Sequence, residues 1–323
     1  MRLPVFIDSD MGWDDLCALC FLGCHPAVEI VGLAVHGCGV AYSDTAIDCA
    51  QKCLSMLSLS HVPIGTGLAK PLSYNHQYPK DFRDETHYFT KLLPTARAKT
   101  TLIPADTLLC DTLAQFPDLV YLSLGGFSNL CHALRRHKTR ALPKKIVAMG
   151  GAVHVAGNIP SLYPNFSHDN LSAEWNIFVD PVAANEVMQT AAQHAIPLAL
   201  VPLDICHQAP LSVQFVDTIL QARGTKPALA FVQRFLQYCE NYAAQKSSPE
   251  YLYDVLAAWL VLSHPSQSTF CRGQLSIVSS SSSPPSELGK LLFTPDSDSL
   301  SGYYQSCDAA QFHQDFIHTL SDK

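Results

Sequence analysis

Four aspartates lie within eight residues near the N-terminus, in the sequence Asp8-Ser9-Asp10-Met11-Gly12-Trp13-Asp14-Asp15. The apolar residues 5–7 before them predict a buried strand, and residues 13–22 predict a helix. The acids therefore lie at the carboxyl end of a strand, where open α/β sheets place their ligands. Crowded carboxylates repel one another unless a cation neutralises them, and oxygen donors alone favour Ca²⁺ or Mg²⁺ over Zn²⁺. Helix capping explains one or two of these aspartates, but not all four.

Further motifs follow the aspartate cluster along the chain. They are Gly125-Gly126-Phe127-Ser128-Asn129-Leu130, Met149-Gly150-Gly151-Ala152, Gly157-Asn158, Ala173-Glu174-Trp175-Asn176-Ile177, Asp180-Pro181-Val182-Ala183-Ala184, Val201-Pro202-Leu203-Asp204 and Tyr253-Asp254-Val255-Leu256-Ala257. Together with the opening Asp-x-Asp-x-Gly-x-Asp-Asp, they resemble the inosine-uridine-preferring nucleoside hydrolases in order and spacing. The resemblance extends over residues 5–258. It implies a Rossmann-like nucleoside hydrolase fold and Ca²⁺-dependent cleavage of the N-glycosidic bond of ribonucleosides.

Apolar strands alternate with helices, which predicts an α/β fold with an open, mostly parallel sheet flanked by helices. Strands are predicted at residues 5–7, 29–35, 120–123, 146–148 and 197–201, and helices at residues 13–22, 45–58, 129–136 and 181–193. After Leu203 the chain is mainly helical, at residues 213–220, 227–244 and 254–262. The serine-rich residues 279–283 predict a long turn between strands at 275–278 and 291–293. We therefore expect a single domain over residues 1–323.

Two stretches, residues 72–99 and 153–172, are rich in Tyr, His, Pro and Asn and are predicted to be irregular. Loops of that length in a compact domain usually form lids or pocket walls.

The composition excludes some classes of binding partner. A net charge of −7 and a pI near 6.0 argue against nucleic acid, because phosphate binding depends on clustered Lys and Arg. No apolar run approaches the roughly twenty residues of a membrane span. The first strand begins so early that it leaves no room for a signal peptide, so we expect a soluble, cytoplasmic protein. The resemblance adds a small nucleoside as the ligand and a homodimer or homotetramer as the assembly.

Twelve cysteines are present, and several fall at helical spacing. Cys17, Cys20 and Cys24 would share one helix face, and Cys49 with Cys53 repeats the pattern. A soft-metal site is one interpretation. Buried thiols acting as small hydrophobic groups in a reducing compartment are the favoured one.

N-glycosidic cleavage passes through an oxocarbenium-like state, so a site needs an activated water and negative charge near the anomeric carbon. The resemblance implies that Asp10 is the general base and a metal ligand. It completes the metal site with Asp15, the backbone carbonyl of Ser128, and Asp254. It assigns ribose binding to Asp14, Met149, Asn158, Glu174 and Asn176. Considered alone, Asn158 is also compatible with a simple turn residue, and Glu174 with a solvated surface acid.

Departures from the family pattern affect the prediction of substrate choice. Cys38 replaces an Asn that contacts the substrate, and a thiol is a poor hydrogen-bonding substitute. Tyr253 replaces a His that protonates purine leaving groups in some members, and a phenol is a weak general acid at neutral pH. Trp175 replaces a Phe and offers a stacking face for a base. His168, together with His154, lies in an irregular stretch and is either an alternative proton donor or an ordinary loop residue.

Two rival hypotheses remain from the sequence. The haloacid-dehalogenase-like phosphatases also begin with Asp-x-Asp after a strand, but they need a later isolated Lys and a late acidic pair, whereas Asp14 and Asp15 follow at once. The second rival is a non-catalytic nucleoside-binding or regulatory protein on the same fold, since Cys38 and Tyr253 alter the pocket.

Overall fold

The computed structural model describes residues 1–96, 100–137, 141–160, 168–243, 250–262 and 264–321. Its strands are β1 (Leu3–Ser9), β2 (Val28–Val35), β3 (Ile64–Thr66), β4 (Leu102–Pro104), β5 (Val120–Ser123), β6 (Lys145–Met149), β7 (Leu198–Val201), β8 (Ser268–Ile277), β9 (Leu291–Pro295) and β10 (Gly302–Cys307). They form one ten-stranded sheet in the order β4-β3-β2-β1-β5-β6-β7-β10-β8-β9. All neighbours from β4 to β10 pair in parallel, and β8 and β9 continue the sheet in antiparallel fashion.

The helices cover the two faces of this sheet. They are α1 (Trp13–Cys24), α2 (Ser43–Met56), α3 (Lys80–Leu92), α4 (Ala105–Gln115), α5 (Ser128–His137), α6 (Trp175–Val179), α7 (Pro181–Gln193), α8 (Leu203–Cys206), α9 (Val213–Gln221), α10 (Pro227–Ala243), α11 (Tyr253–Val261) and α12 (Ala309–Leu320). Among the described residues, no helix is both long and apolar enough to cross a membrane.

Strand β1 lies inside the sheet, between β2 and β5, and this position explains its apolar sequence. Val5 and Ile7 join the hydrophobic core on one face, and Phe6 joins the core on the other, where its ring stacks on Tyr121 at 5.7 Å. A strand that is covered on both faces needs consecutive apolar residues rather than an alternating pattern. Burying each such side chain contributes about 1.5–3 kcal/mol, so the position of β1 is strongly specified.

The fold class predicted from the sequence is confirmed: a single α/β domain with a mostly parallel central sheet flanked by helices. Strand β5 and helix α7 match their predicted bounds, and β8 and β9 flank the predicted serine-rich turn. The cysteines on α1 and α2 lie in the core, with Cys17, Cys20, Cys49 and Cys53 fully buried. They pack there as small hydrophobic groups.

The prediction that residues 72–99 are irregular is wrong over α3, which occupies Lys80–Leu92. Its buried face consists of Arg83, Thr86 and Phe89, at three-residue spacing. Only one of the three is apolar, so hydrophobic periodicity does not reveal the helix. Part of the other stretch predicted to be irregular, residues 161–167, lies outside the described residues.

Candidate active site

The turn after β1 brings the aspartate cluster to the carboxyl edge of the sheet. Met11 is buried with φ of 60°, a left-handed conformation that reverses the chain, and Gly12 precedes the first turn of α1. The Asp15 carboxylate accepts a hydrogen bond from the Gly12 N–H at 2.9 Å and another from the Ser9 hydroxyl. Asp15 is thus fixed at the positive end of α1, where a negative charge is favoured.

A second helix brings a third acid to the same place. Asp254 lies in the first turn of α11, which packs against α1, and carboxylate oxygens of Asp14, Asp15 and Asp254 lie within 4.8 Å of one another. Among the described groups, the buried Oδ1 of Asp254 has no hydrogen-bond partner. A set of closely spaced oxygen donors that includes an unsatisfied buried carboxylate oxygen fits a hard divalent cation such as Ca²⁺ or Mg²⁺.

The charges of this group are strongly destabilised in the protein alone. Burial raises the pKa of Asp14 to about 7 and the pKa values of Asp15 and Asp254 well above their usual range. The neighbouring charge of Asp10 raises all three further. Neutralising these carboxylates by protons or by a cation therefore relieves a real energetic cost.

This electrostatic cost predicts how stability depends on pH in metal-free protein. A carboxyl group whose pKa is higher in the folded than in the unfolded state holds more protons when folded, so stability falls as pH rises from about 4 through the folded pKa. We expect the thermal unfolding midpoint in chelator to fall between about pH 5 and about pH 8. Asp254→Asn should flatten this dependence in scanning fluorimetry. A midpoint that rises over this range would contradict the assigned pKa directions.

Asp10 is held by a separate loop. Its Oδ2 accepts a hydrogen bond from the Val40 N–H at 2.9 Å, and a Cβ at Gly39 would lie only 1.9 Å from that oxygen. Glycine is therefore needed at position 39 for the backbone to approach the carboxylate. Arg83, on α3, anchors the loop by donating to the carbonyls of Gly37 at 2.7 Å and Ala41 at 3.1 Å.

Behind the site, Asp8 supports the turn. It accepts hydrogen bonds from the Tyr121 hydroxyl at 2.5 Å and from Asn129 Nδ2 at 2.9 Å. Ser128 begins α5, and its hydroxyl donates to Asp180 at 2.7 Å. This hydroxyl is thus engaged with Asp180, and the resemblance assigns the metal contact to the backbone carbonyl of Ser128.

Helix α6 presents the predicted sugar-binding residues. Glu174 caps the helix, accepting from the N–H of Asn176 at 2.8 Å and from that of Gly151 at 3.1 Å, and burial raises its pKa to about 7. Nδ2 of Asn176 donates to the carbonyl of Met149 at 3.3 Å. The Asn158 carboxamide accepts from the Trp175 N–H at 3.1 Å, so it braces the start of α6. Glu174 is buried and is not a solvated surface acid.

Residues at the positions that depart from the family pattern lie around this site. Cys38 is buried, its thiol donates to the Leu68 carbonyl at 3.2 Å, and burial raises its pKa to about 12. Trp175 is 1% exposed, and its ring stacks on Tyr78 at 4.4 Å, so protein already covers the ring face expected to receive a base. Tyr253 is half-buried, and burial raises its pKa.

His168 lies beside α6. Its Nδ1 accepts from the Asn170 N–H at 3.1 Å, and its ring meets Phe178 edge-on at 5.1 Å. His154, the other histidine of this stretch, contacts the Tyr303 hydroxyl through Nε2 at 3.0 Å.

The structure thus gathers most predicted residues, with one rearrangement. The resemblance assigns Asp10, Asp15 and Asp254 to the metal and Asp14 to ribose. Of the acids in the described ranges, those close enough to share an ion are Asp14, Asp15 and Asp254. A Cβ at Gly12 would nonetheless lie 3.3 Å from Asp14 Oδ1 and 3.9 Å from Asp10 Oδ1, which places Asp10 beside this group.

Several supporting residues of the site were not predicted from the sequence. Asp180 stands in one of the family-like motifs without a role, yet it accepts from Ser128, from Ser73 and from the N–H of Leu72 at 2.7 Å. Tyr78 and Arg83 received no predicted role, because they lie in the stretch predicted to be irregular. A cluster of aromatic residues around a single Arg is the sequence signal that could have indicated them.

Comparison with known proteins supports the sequence pattern. The family model described as inosine-uridine preferring nucleoside hydrolase matches residues 5–308. The pyrimidine-specific ribonucleoside hydrolase RihA of Shewanella sp. (strain ANA-3) is 31% identical over 222 residues, which are 68% of this chain and 64% of that protein. The uridine nucleosidase of Saccharomyces cerevisiae (strain ATCC 204508 / S288c) is 25% identical over 249 residues, which are 75% of this chain and 70% of that protein. The matched part of the chain thus spans less than two thirds of the Shewanella relative's length.

Solved structures share the fold. The purine-preferring ribonucleoside hydrolase from Gardnerella vaginalis superposes with a TM-score of 0.78, at 20% sequence identity and over 98% of both chains. Similarity at this level of identity establishes the architecture.

Proposed function

The chain belongs to the inosine-uridine preferring nucleoside hydrolase family, and we therefore propose that it hydrolyses the N-glycosidic bond of ribonucleosides, releasing free base and ribose. The observation that carries the proposal is the group of Asp14, Asp15 and Asp254 beside Asp10, at the carboxyl edge of the sheet, in which Asp15 and Asp254 are buried. Keeping several charged or protonated acids in the core costs stability, which is typical of a functional site.

We propose Ca²⁺ as the cofactor, held by Asp10, Asp15, Asp254 and the Ser128 carbonyl, with Asp14 adjacent. When bound, a divalent ion would lower the pKa of a coordinated water and orient the ribose diol. Asp10 is suited to accept the proton from the attacking water, because the Val40 N–H and the Gly39 backbone fix its carboxylate. The remaining acids contribute negative charge that stabilises the developing oxocarbenium ion.

The sugar is proposed to contact Asp14, Asn158, Glu174 and Asn176, with Met149 beside it. Glu174 and Asn176 are buried and held by backbone hydrogen bonds, so they are already oriented before a ligand arrives. Fixed orientation of the sugar positions the anomeric carbon against the water and raises turnover as well as affinity. Cys38 and Trp175 would shape the pocket wall rather than hydrogen-bond the substrate.

The choice of base is tied to Tyr253. Burial raises the pKa of its phenol, which makes it a poor acid for a purine leaving group. We expect Tyr253→His to raise inosine hydrolysis by about ten- to a hundredfold, a gain that reaches the lower limit of the usual range for acid catalysis. The neighbouring Tyr251, whose ring lies 5.3 Å from that of Tyr253, supplies the control variant Tyr251→His, which should give no gain. If Tyr253→His gives no gain in inosine hydrolysis and His168→Ala causes a large loss of it, His168 and not residue 253 would be the proton donor.

A panel of purine and pyrimidine nucleosides, assayed for reducing-sugar release with and without chelator, tests the proposed activity. The relatives differ in the preference that their names state, for pyrimidine nucleosides, uridine or purines, so the panel must include uridine, cytidine, inosine and adenosine. Release of ribose from at least one nucleoside, lost in chelator, is the expected result. Tight nucleoside binding without release would favour the non-catalytic binding protein instead.

Assembly and compartment follow the family resemblance. We propose a homodimer or homotetramer in the cytoplasm, where the free thiols that the structure describes would persist. Light scattering on the purified protein measures the assembly state directly.

A further inference from the structure

A short strap, residues 72–78, runs along α6 and reaches the sugar-binding residues. The Leu72 N–H donates to Asp180 at 2.7 Å, and the His76 ring lies parallel to that of Phe178 at 4.0 Å. At the end of the strap, the Tyr78 hydroxyl donates to Asn176 Oδ1 at 3.4 Å. The strap therefore follows α6 from its C-terminal end to its beginning and delivers one phenol to the predicted sugar subsite.

Tyr78 is held firmly in that position. Its ring is stacked on Trp175 at 4.4 Å and on Phe82 at 5.7 Å, and the residue is 7% exposed. Burial raises the pKa of the phenol well above its usual range, and the charges of Asp10 and Glu174 raise it further. The phenol therefore stays protonated and faces the acids of the site as a hydrogen-bond donor.

Apart from the buried indole Nε1 of Trp175, the described side chains of α6 supply no further donor to this subsite. The two hydrogens of Asn176 Nδ2 are directed at the carbonyls of Leu124 at 2.9 Å and Met149 at 3.3 Å. Carbonyl oxygens only accept, so this nitrogen cannot be exchanged with Oδ1, and the exposed end of the carboxamide is an acceptor. The Glu174 carboxylate is also an acceptor, already oriented by backbone N–H groups.

A phenol donor beside these two acceptors matches the chemistry of an alcohol. A hydroxyl donates one hydrogen bond and accepts another, so it can donate to Glu174 or Asn176 while it accepts from Tyr78. A ribonucleoside has three hydroxyls, and the acid group at Asp15 and Asp254 is suited to the vicinal pair. The hydroxyl that remains for the α6 subsite is the 5′-hydroxyl.

We propose that Tyr78 is a specificity-determining residue that donates a hydrogen bond to the substrate 5′-hydroxyl, completing a three-residue hydroxyl site with Glu174 and Asn176. This inference rests on the proposed nucleoside hydrolase activity. In the absence of substrate, the phenol donates to Asn176, and binding exchanges that long contact for the sugar oxygen.

The test compares kcat/KM for a nucleoside and its 5′-deoxy analogue, using uridine or inosine, whichever the wild-type protein hydrolyses faster. The ratio of the two values measures recognition of the 5′-hydroxyl. Tyr78→Phe removes only the donor, so this ratio should fall by about three- to tenfold, the usual effect of one neutral hydrogen bond. Tyr74→Phe is the matched control, because Tyr74 belongs to the same strap but donates to the Ser279 carbonyl at 2.8 Å. It should leave the ratio unchanged.

The possible outcomes distinguish a failure of the 5′-hydroxyl contact from a failure of the activity on which it rests. If Tyr78→Phe lowers kcat/KM equally for both substrates, the phenol has only a packing role and the inference is overturned. If the wild-type protein hydrolyses no nucleoside, the proposed function fails first. Both kcat/KM values of a variant are measured on the same protein preparation. A smaller folded fraction of Tyr78→Phe therefore lowers both values equally and leaves their ratio unchanged.

Discussion

Asp10→Ala is expected to lower kcat by at least about a thousandfold, because the change removes both a general base and a carboxylate of the proposed metal site. The loss should exceed the roughly hundredfold lower limit for proton transfer alone. The thermal unfolding midpoint should change little or increase in metal-free protein, since one of the mutually repelling charges is gone. Steady-state kinetics on the best nucleoside substrate provides the measurement.

The control for this variant is Asp118→Ala. Asp118 is an exposed acid paired with Lys144, far from the aspartate cluster in sequence and without a role in the site. Its substitution removes one negative charge and should leave turnover intact. Substantial activity in Asp10→Ala would overturn the assignment of the base.

Removal of divalent cations is expected to abolish turnover and to destabilise the protein at about pH 8, which lies above the pKa of about 7 of Asp14. Calcium added at about a thousand times its dissociation constant should restore about 4 kcal/mol of stability. The stabilisation is independent of catalysis, so scanning fluorimetry detects it even in an inactive variant.

Asp254→Asn tests whether the ion binds at the proposed place. The substitution removes a carboxylate that has an unsatisfied oxygen and leaves a side chain of the same shape. The calcium-induced shift should disappear in this variant and persist in Asp118→Asn. An equal shift in both variants would locate the stabilising ion elsewhere.

Most of the fold could be predicted from local sequence patterns. The uninterrupted apolar residues of β1 indicated a strand covered on both faces, and the Asp180-Pro181 pair indicated the start of α7. Helix α3 escaped prediction because its buried positions include Arg83, whose role is to bind two carbonyls of a loop distant in sequence. Such a role has no signature in local periodicity.

The same distinction applies to the candidate site. The aspartates at positions 8–15 were evident from their crowding, and Asp254 from its motif. Tyr78 and Asp180 act through partners about 50 to 100 residues away, such as Ser128 and Asn176. Only the folded chain brings those partners together, so spacing along the sequence could not assign them.

In the proposed reaction, water activated at the acid group attacks the anomeric carbon of a ribonucleoside. Hydrolysis in ¹⁸O-labelled water, followed by mass spectrometry of the products before the free sugar exchanges its anomeric oxygen, follows that water into the product. We expect equimolar free base and ribose, with one labelled oxygen in the ribose and none in the base. An unlabelled sugar, a ribose phosphate formed only when phosphate is supplied, or intact nucleoside in the presence of Ca²⁺ would show that the proposed reaction is wrong.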